Sequence, residues 1–148
     1  MVDLSMNWLA IIVAALVPMI LGALYYGPVF GKAWRASLGK TEEELTPNNM
    51  PLSYGGALIC AFLVSTSLNF IIQLVHKDIN SAGELFINTS STFGHGAFHG
   101  AMLGLTFVGP VIISLSIFHK INWKAVVLNV IFWTICFTVM GGILDMWK

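Results

Sequence analysis

His95 and His99 stand four residues apart, so a helix would carry both imidazoles on one face, a turn from each other. Paired imidazoles can hold a divalent metal or pass a proton, and ionisable groups inside a membrane-spanning segment are the first place to look for function. The span directions worked out below bring His76, Glu84, Asp145 and the amides Asn69 and Gln73 to the same membrane depth, beside His95 and His99. Imidazole with carboxylate suits zinc or a similar ion, with His95, His99, His76 and Asp145 as the candidate metal or ligand residues. The pair lacks the glutamate and third ligand of a metalloprotease helix. Hydrogen bonds to carbonyls, amides and interfacial water explain it more simply, so the expectation is a structural pair without a cofactor. Neither a nucleophile with its base, nor a P-loop, nor a dinucleotide fingerprint occurs, which disfavours an enzyme.

The elements that must position these groups are membrane spans. Hydrophobic residues make up 57% of the 148 and charged residues 9%, with a mean hydropathy of +0.82; soluble chains carry about 25% charged residues. Apolar runs at 8–26, 52–75, 93–118 and 123–146 each reach the roughly 20 residues needed to cross a bilayer. The fold expected is all-α, a single four-span domain over residues 1–148 whose first partner is the lipid bilayer. The start lacks a positive n-region, so the first span reads as a mature element. Pro18 should kink it. Cys60 and Cys136 fall inside apolar runs and read as small buried hydrophobes. A net charge of zero gives no basic field for nucleic acid.

The first span ends in Gly22 to Trp34, where Tyr25, Tyr26, a helix-terminating Gly27-Pro28 and then Phe30, Lys32, Trp34 and Arg35 read as a membrane exit. Trp8, Tyr25, Tyr26, Trp34, Trp123 and Trp147 are the expected interfacial anchors. Within the polar connection 28–51, Phe30, Ala33, Trp34 and Leu38 recur at helical spacing, which predicts a short amphipathic helix in the interface. Thr41 and Glu44 have the form of a capping box opening a further helical turn. Lys32, Arg35, Lys40, Lys120 and Lys124 lie on one side of the membrane, and Lys77 and Lys148 on the other. That asymmetry puts loop 28–51 in the cytoplasm and both termini outside. Asn88-Thr89-Ser90 matches a glycosylation sequon, a pattern too short to carry weight.

Two patterns concern packing. Leu21 to Val29 recurs as Leu103 to Val111, both containing Gly-Pro, compatible with two related helical hairpins. In the third span the Gly109-Pro110 pair falls within the apolar run and should make a kink. Gly96, Gly100 and Gly104 stack on one helix face and allow another backbone to approach closely. The leading functional expectation is therefore a non-enzymatic structural or accessory subunit, joined through that face to copies of itself or to a larger membrane complex. A small oligomeric transporter or channel with an outer vestibule of His95, His99 and Asp145 is the alternative, and a metal-dependent membrane enzyme the third reading.

Asn7-Trp8-Leu9-Ala10, then Gly22-Ala23-Leu24-Tyr25-Tyr26-Gly27-Pro28, Phe30-Gly31-Lys32-Ala33-Trp34 and Leu38-Gly39-Lys40-Thr41-Glu42-Glu43-Glu44, resemble the opening of a bacterial family of small four-span membrane proteins known only as a domain of unknown function. The family usually has tryptophan at the position of Tyr25. The resemblance implies four helices in a bacterial cytoplasmic membrane and supplies no activity, substrate or site residue.

Overall fold

The computed structural model describes residues 6–79, 81–87 and 91–147. Residues 1–5, the sequon at Asn88, Thr89 and Ser90, and Lys148 from the charge count lie outside the described residues. Helix α1 (Trp8–Leu24) passes into a π-helical turn at Tyr25–Val29, followed by α2 (Gly31–Leu38) and α3 (Glu42–Leu45). Next come α4 (Met50–Val75), a hairpin of β1 (Lys77–Ile79) and β2 (Leu85–Ile87), and α5 (Phe93–Leu103). A second π-helical turn at Gly104–Val108 leads into α6 (Gly109–Phe118), and α7 (Trp123–Met146) follows. Four helical stretches, Trp8–Val29, Met50–Val75, Phe93–Phe118 and Trp123–Met146, are long and apolar enough to cross a membrane. The architecture is thus all-α apart from the three-residue strands of the hairpin, which pair antiparallel with Asp78 opposite Phe86.

Helix α7 is the strut of the bundle: α1, α4, α5 and α6 all pack on it, and α1 packs on α4 as well. The core is Ala10, Ile11 and Ala14 from α1, Leu68 and Ile72 from α4, and Cys136, Met140 and Leu144 from α7. Small residues on α1 let α4 and α7 approach, and Ser65 donates to the Ile11 carbonyl at 2.8 Å from a buried position. Large side chains point outward instead, among them Leu9, Ile20, Phe107 and Phe118, as a lipid-bathed surface requires.

The helix breaks where Gly27-Pro28 stands: α1 ends at Leu24, and Gly27 has non-helical φ −94° and ψ −106°. Around this kink Phe30 N donates to Tyr25 O at 2.8 Å, closing a single π-type turn, and Pro28 has no amide to donate. The related segment of span three also carries a π turn, just before Pro110. Two expectations, on Cys60 and Tyr25, are corrected. Cys60 is exposed on α4, and only Cys136 is buried. Tyr25 is not a lipid-facing anchor: it is buried against Phe132, and its hydroxyl donates to Leu128 O at 3.0 Å.

Beyond the first span, Gly31 opens α2 where any Cβ would meet Tyr26 O at 2.5 Å, so only glycine fits this sharp entry. The Thr41 and Glu44 capping box forms at the start of α3, with Thr41 N donating to Glu44 Oε2 at 2.8 Å.

Candidate metal site

The site is assembled at the end of the bundle that holds the carboxyl ends of α4 and α7 and the amino end of α5. On α4, Ser65, Asn69, Gln73 and His76 follow at helical spacing and are all buried, a polar stripe on the face that meets the bundle. His76 caps α4, and its Nδ1 lies 2.6 Å from Ile72 O. A carbonyl only accepts, so Nδ1 carries the proton and Nε2 presents its lone pair to the cluster. This tautomer, fixed by a backbone carbonyl, is the one a metal-ligating Nε2 needs.

Thr92 caps α5 by accepting from His95 N at 3.2 Å, which starts the helix where both imidazoles project toward α4 and α7. His95 Nδ1 is 2.8 Å from His76 Nε2 and 3.3 Å from Asp145 Oδ2. His95 Nε2 is 3.2 Å from His99 Nε2. The three rings meet edge to face at centroid separations of 4.6 to 5.7 Å. Asp145, one residue from the end of α7, has no exposed surface, and its Oδ1 lies 3.6 Å from His76 Nε2. One ligand atom from each of the three histidines can be chosen so that all lie within 4.8 Å of one another.

Glycine makes this meeting possible. A Cβ on Gly96 would collide with Gly141 O and with Asp145 Cβ, and one on Gly100 with Phe137 O. On Gly104 it would lie 2.8 Å from Thr134 Cα. Helices α5 and α7 therefore touch backbone to backbone, which brings His95 to Asp145. The glycine face is consumed inside the chain, so association with another protein would have to use a different surface.

Exposure is graded across the site. Asp145 is at 0%, the His76 side chain at 4%, His95 at 44%, and His99 is half-buried. A buried carboxylate is costly unless cationic or hydrogen-bonding groups meet it, and here imidazoles do. Tetrahedral zinc with Zn–N near 2.0–2.1 Å holds its ligands about 3.3 Å apart. One ion takes a single nitrogen from His95; with Nδ1 in that role, it, His76 Nε2 and the Asp145 carboxylate oxygens stand 2.8, 3.3 and 3.6 Å apart, around that value. A set that includes His99 spans up to 4.8 Å, so the His99 ring would move in to ligate. The same contacts form a chain of imidazoles from half-buried His99 to buried His76 that can relay a proton.

The structure thus brings His76, His95, His99 and Asp145 together. Glu84 lies exposed beside the hairpin turn, and Asn69 and Gln73 lie lower on α4. Trp8, Trp123 and Trp147 are exposed at the bundle ends. Tyr26 and Trp34 instead pack on each other with centroids 4.8 Å apart, and Tyr26 donates to Asn129 Oδ1 at 2.8 Å. Sequence reasoning missed this second polar locus, although Asn129 within an apolar span was its visible signal.

No curated protein and no solved structure matches the chain. A family model described as "Protein of unknown function (DUF1761)" matches residues 9–145. With nearly its whole length matched, the chain belongs to that family of proteins of unknown function.

Proposed function

We propose that this four-span protein is a metal-binding membrane protein that holds one zinc-class divalent ion between His76, His95 and His99, with the Asp145 carboxylate beside it. The observation that carries the reading is the convergence of three imidazoles, their ligand atoms within 4.8 Å of one another, and a fully buried carboxylate, from three helices. His76 is held in the ligating tautomer, and His95 leaves the site open to the surface. Three imidazoles with an open fourth position are the arrangement that activates a bound water. Metal-assisted hydrolysis at the membrane surface is thus the chemistry the site would support, with Asp145 as the neighbouring base.

Below the site the bundle is closed by Leu68, Ile72, Met140 and Leu144, none more than 2% exposed. A site open at one end only favours binding over a route across a single chain. The excess of Lys and Arg in the first and third connections supports an orientation with the cluster and both termini outside and loop 28–51 in the cytoplasm. The resemblance of the opening supports a bacterial cytoplasmic membrane.

Metal content by mass spectrometry of protein purified in mild detergent after zinc exposure tests the proposal. One ion per chain is expected, falling below about a tenth in His95→Ala with His99→Ala at unchanged elution volume. Substoichiometric zinc in the wild type, or equal zinc in the double variant, refutes it.

A further inference from the structure

The opposite end of the bundle carries a second feature that the metal site does not use. Asn129 and Asp145 are sixteen residues apart on α7, or about 24 Å at the helical rise of 1.5 Å per residue. At the Asn129 end a cleft of about 650 Å³ opens between α1, α2, α4 and α7. That volume lies within the range of small-molecule sites. Five aromatic rings line it, those of Tyr26, Trp34, Tyr54, Phe132 and Trp133.

Its polar groups are mostly donors. Trp34 Nε1 is shielded from solvent and has no hydrogen-bond partner among the described residues. A buried indole N–H without an acceptor is costly, and tryptophan usually finds one. Asn129, a residue of the cleft wall, spends its carbonyl oxygen on the Tyr26 hydroxyl, which leaves its NH₂ donors for another acceptor. Tyr54 adds an exposed hydroxyl at the mouth. None of the lining residues is charged. An anionic or cationic head would therefore enter without a counter-charge, whereas a neutral acceptor would satisfy the donors.

We propose that the cleft binds a neutral, membrane-soluble molecule with a flat ring and carbonyl acceptors, of the quinone class. The ring would stack among the aromatic side chains, with its carbonyls accepting from the Asn129 amide and, after a turn of the indole that uncovers it, from Trp34 Nε1. From Tyr54 to Cys60 the cleft wall descends six residues of α4, about 9 Å into the membrane. The head thus sits near the interface, and an apolar tail leaves sideways into lipid. Arg35, the nearest basic residue in sequence to Trp34, is paired with Glu42 at 3.4 Å and does not line the cleft.

The test uses the full chain in nanodiscs of dioleoylphosphatidylcholine, titrated with decylubiquinone and followed by tryptophan fluorescence. Trp34 and Trp133 lie in the cleft wall, so binding should quench saturably at about one quinone per chain. Trp34→Phe keeps a ring and removes the donor; one lost hydrogen bond should weaken apparent affinity about fivefold. Asn129→Leu should weaken it at least as much. Dioleoylglycerol, which offers ester carbonyls without a flat ring, should not displace the quinone at equal mole fraction. Quenching that rises linearly without a plateau, affinity unchanged in both variants, or equal displacement by dioleoylglycerol would each overturn the proposal. The wild-type titration and the competition decide the matter even where a variant fails to fold, and zinc content at the other end does not enter.

Discussion

Replacing Gly100 with alanine tests how the site is held together, because the added methyl sets two effects against each other. Alanine favours a helix interior over glycine by up to about 1 kcal/mol. Here, however, the Cβ would collide with Phe137 O and lie 2.7 Å from Phe137 C, against an ordinary contact of 3.4 Å or more. These are backbone atoms of α7, so the helices must separate, at an overpacking cost of up to about 3 kcal/mol. The net loss is about 2 kcal/mol, or roughly 4–8 °C in Tm for a domain of this size. The same displacement reaches the site. Relieving the 2.7 Å contact alone needs 0.7 Å, and the closer approach to Phe137 O needs more, so the His95 to Asp145 separation would stretch from 3.3 to at least about 4.0 Å, beyond hydrogen-bond reach. Gly55 and Gly94 have nothing within 4 Å of an added Cβ, so Gly55→Ala and Gly94→Ala supply the propensity gain without the clash. Thermal unfolding in mild detergent, read by tryptophan fluorescence, should lower Tm for Gly100→Ala and leave or raise it for the two controls. Zinc binding should weaken only in the first. A Gly100→Ala protein as stable as Gly94→Ala would show that the backbones of α5 and α7 are not in contact.

The remaining predictions concern single contacts. Asp145→Asn keeps the shape but removes the charge beside the imidazoles, and zinc affinity measured by competition with a chelator should fall about 10- to 100-fold; unchanged affinity would remove the carboxylate from the site. Tyr26→Phe deletes the 2.8 Å bond to Asn129 and should cost about 1 kcal/mol of stability in chemical unfolding. The Thr41 backbone N–H, with its hydroxyl, holds the Glu44 carboxyl below its ordinary value of 4.5. A depressed carboxyl contributes order above the unfolded value and loses it as pH falls through the folded one. Loop 41–46 should therefore stay ordered at neutral pH and loosen only in acid, and Thr41→Ala should bring the Glu44 titration, followed by NMR, back toward 4.5.

Hydropathy alone made the four spans readable, because a helix in lipid must present apolar side chains almost all round and so leaves an uninterrupted run. The capping box was equally readable, being a local pattern of residues three apart. For the cluster, the sequence showed the neighbours His95 and His99 and no more than a shared depth for His76 and Asp145. Their contact depends on a hairpin turning α4 back toward α5 and on α7 reaching His95 across 50 residues, and no local spacing encodes that. The glycine stripe announced close packing but not its partner, which proved to be Gly141, Phe137 and Thr134 of the same chain. Tyr25 and Cys60 misled for a simpler reason: which side of a helix faces lipid depends on its rotation, and an all-round apolar sequence leaves that angle undetermined.

Asp145 also ties the cluster to biogenesis. Its carboxylate arrives on α7, whereas His76, His95 and His99 are already present once α4 and α5 have been made. A nascent protein with α7 undocked would carry a bare set of imidazoles and leave a charged group to lipid or headgroups. Docking α7 removes both faults in one step, so the meeting of Asp145 with His76 and His95 reports that α7 has joined the bundle, and a copy with α7 undocked would leave that group open to membrane quality control.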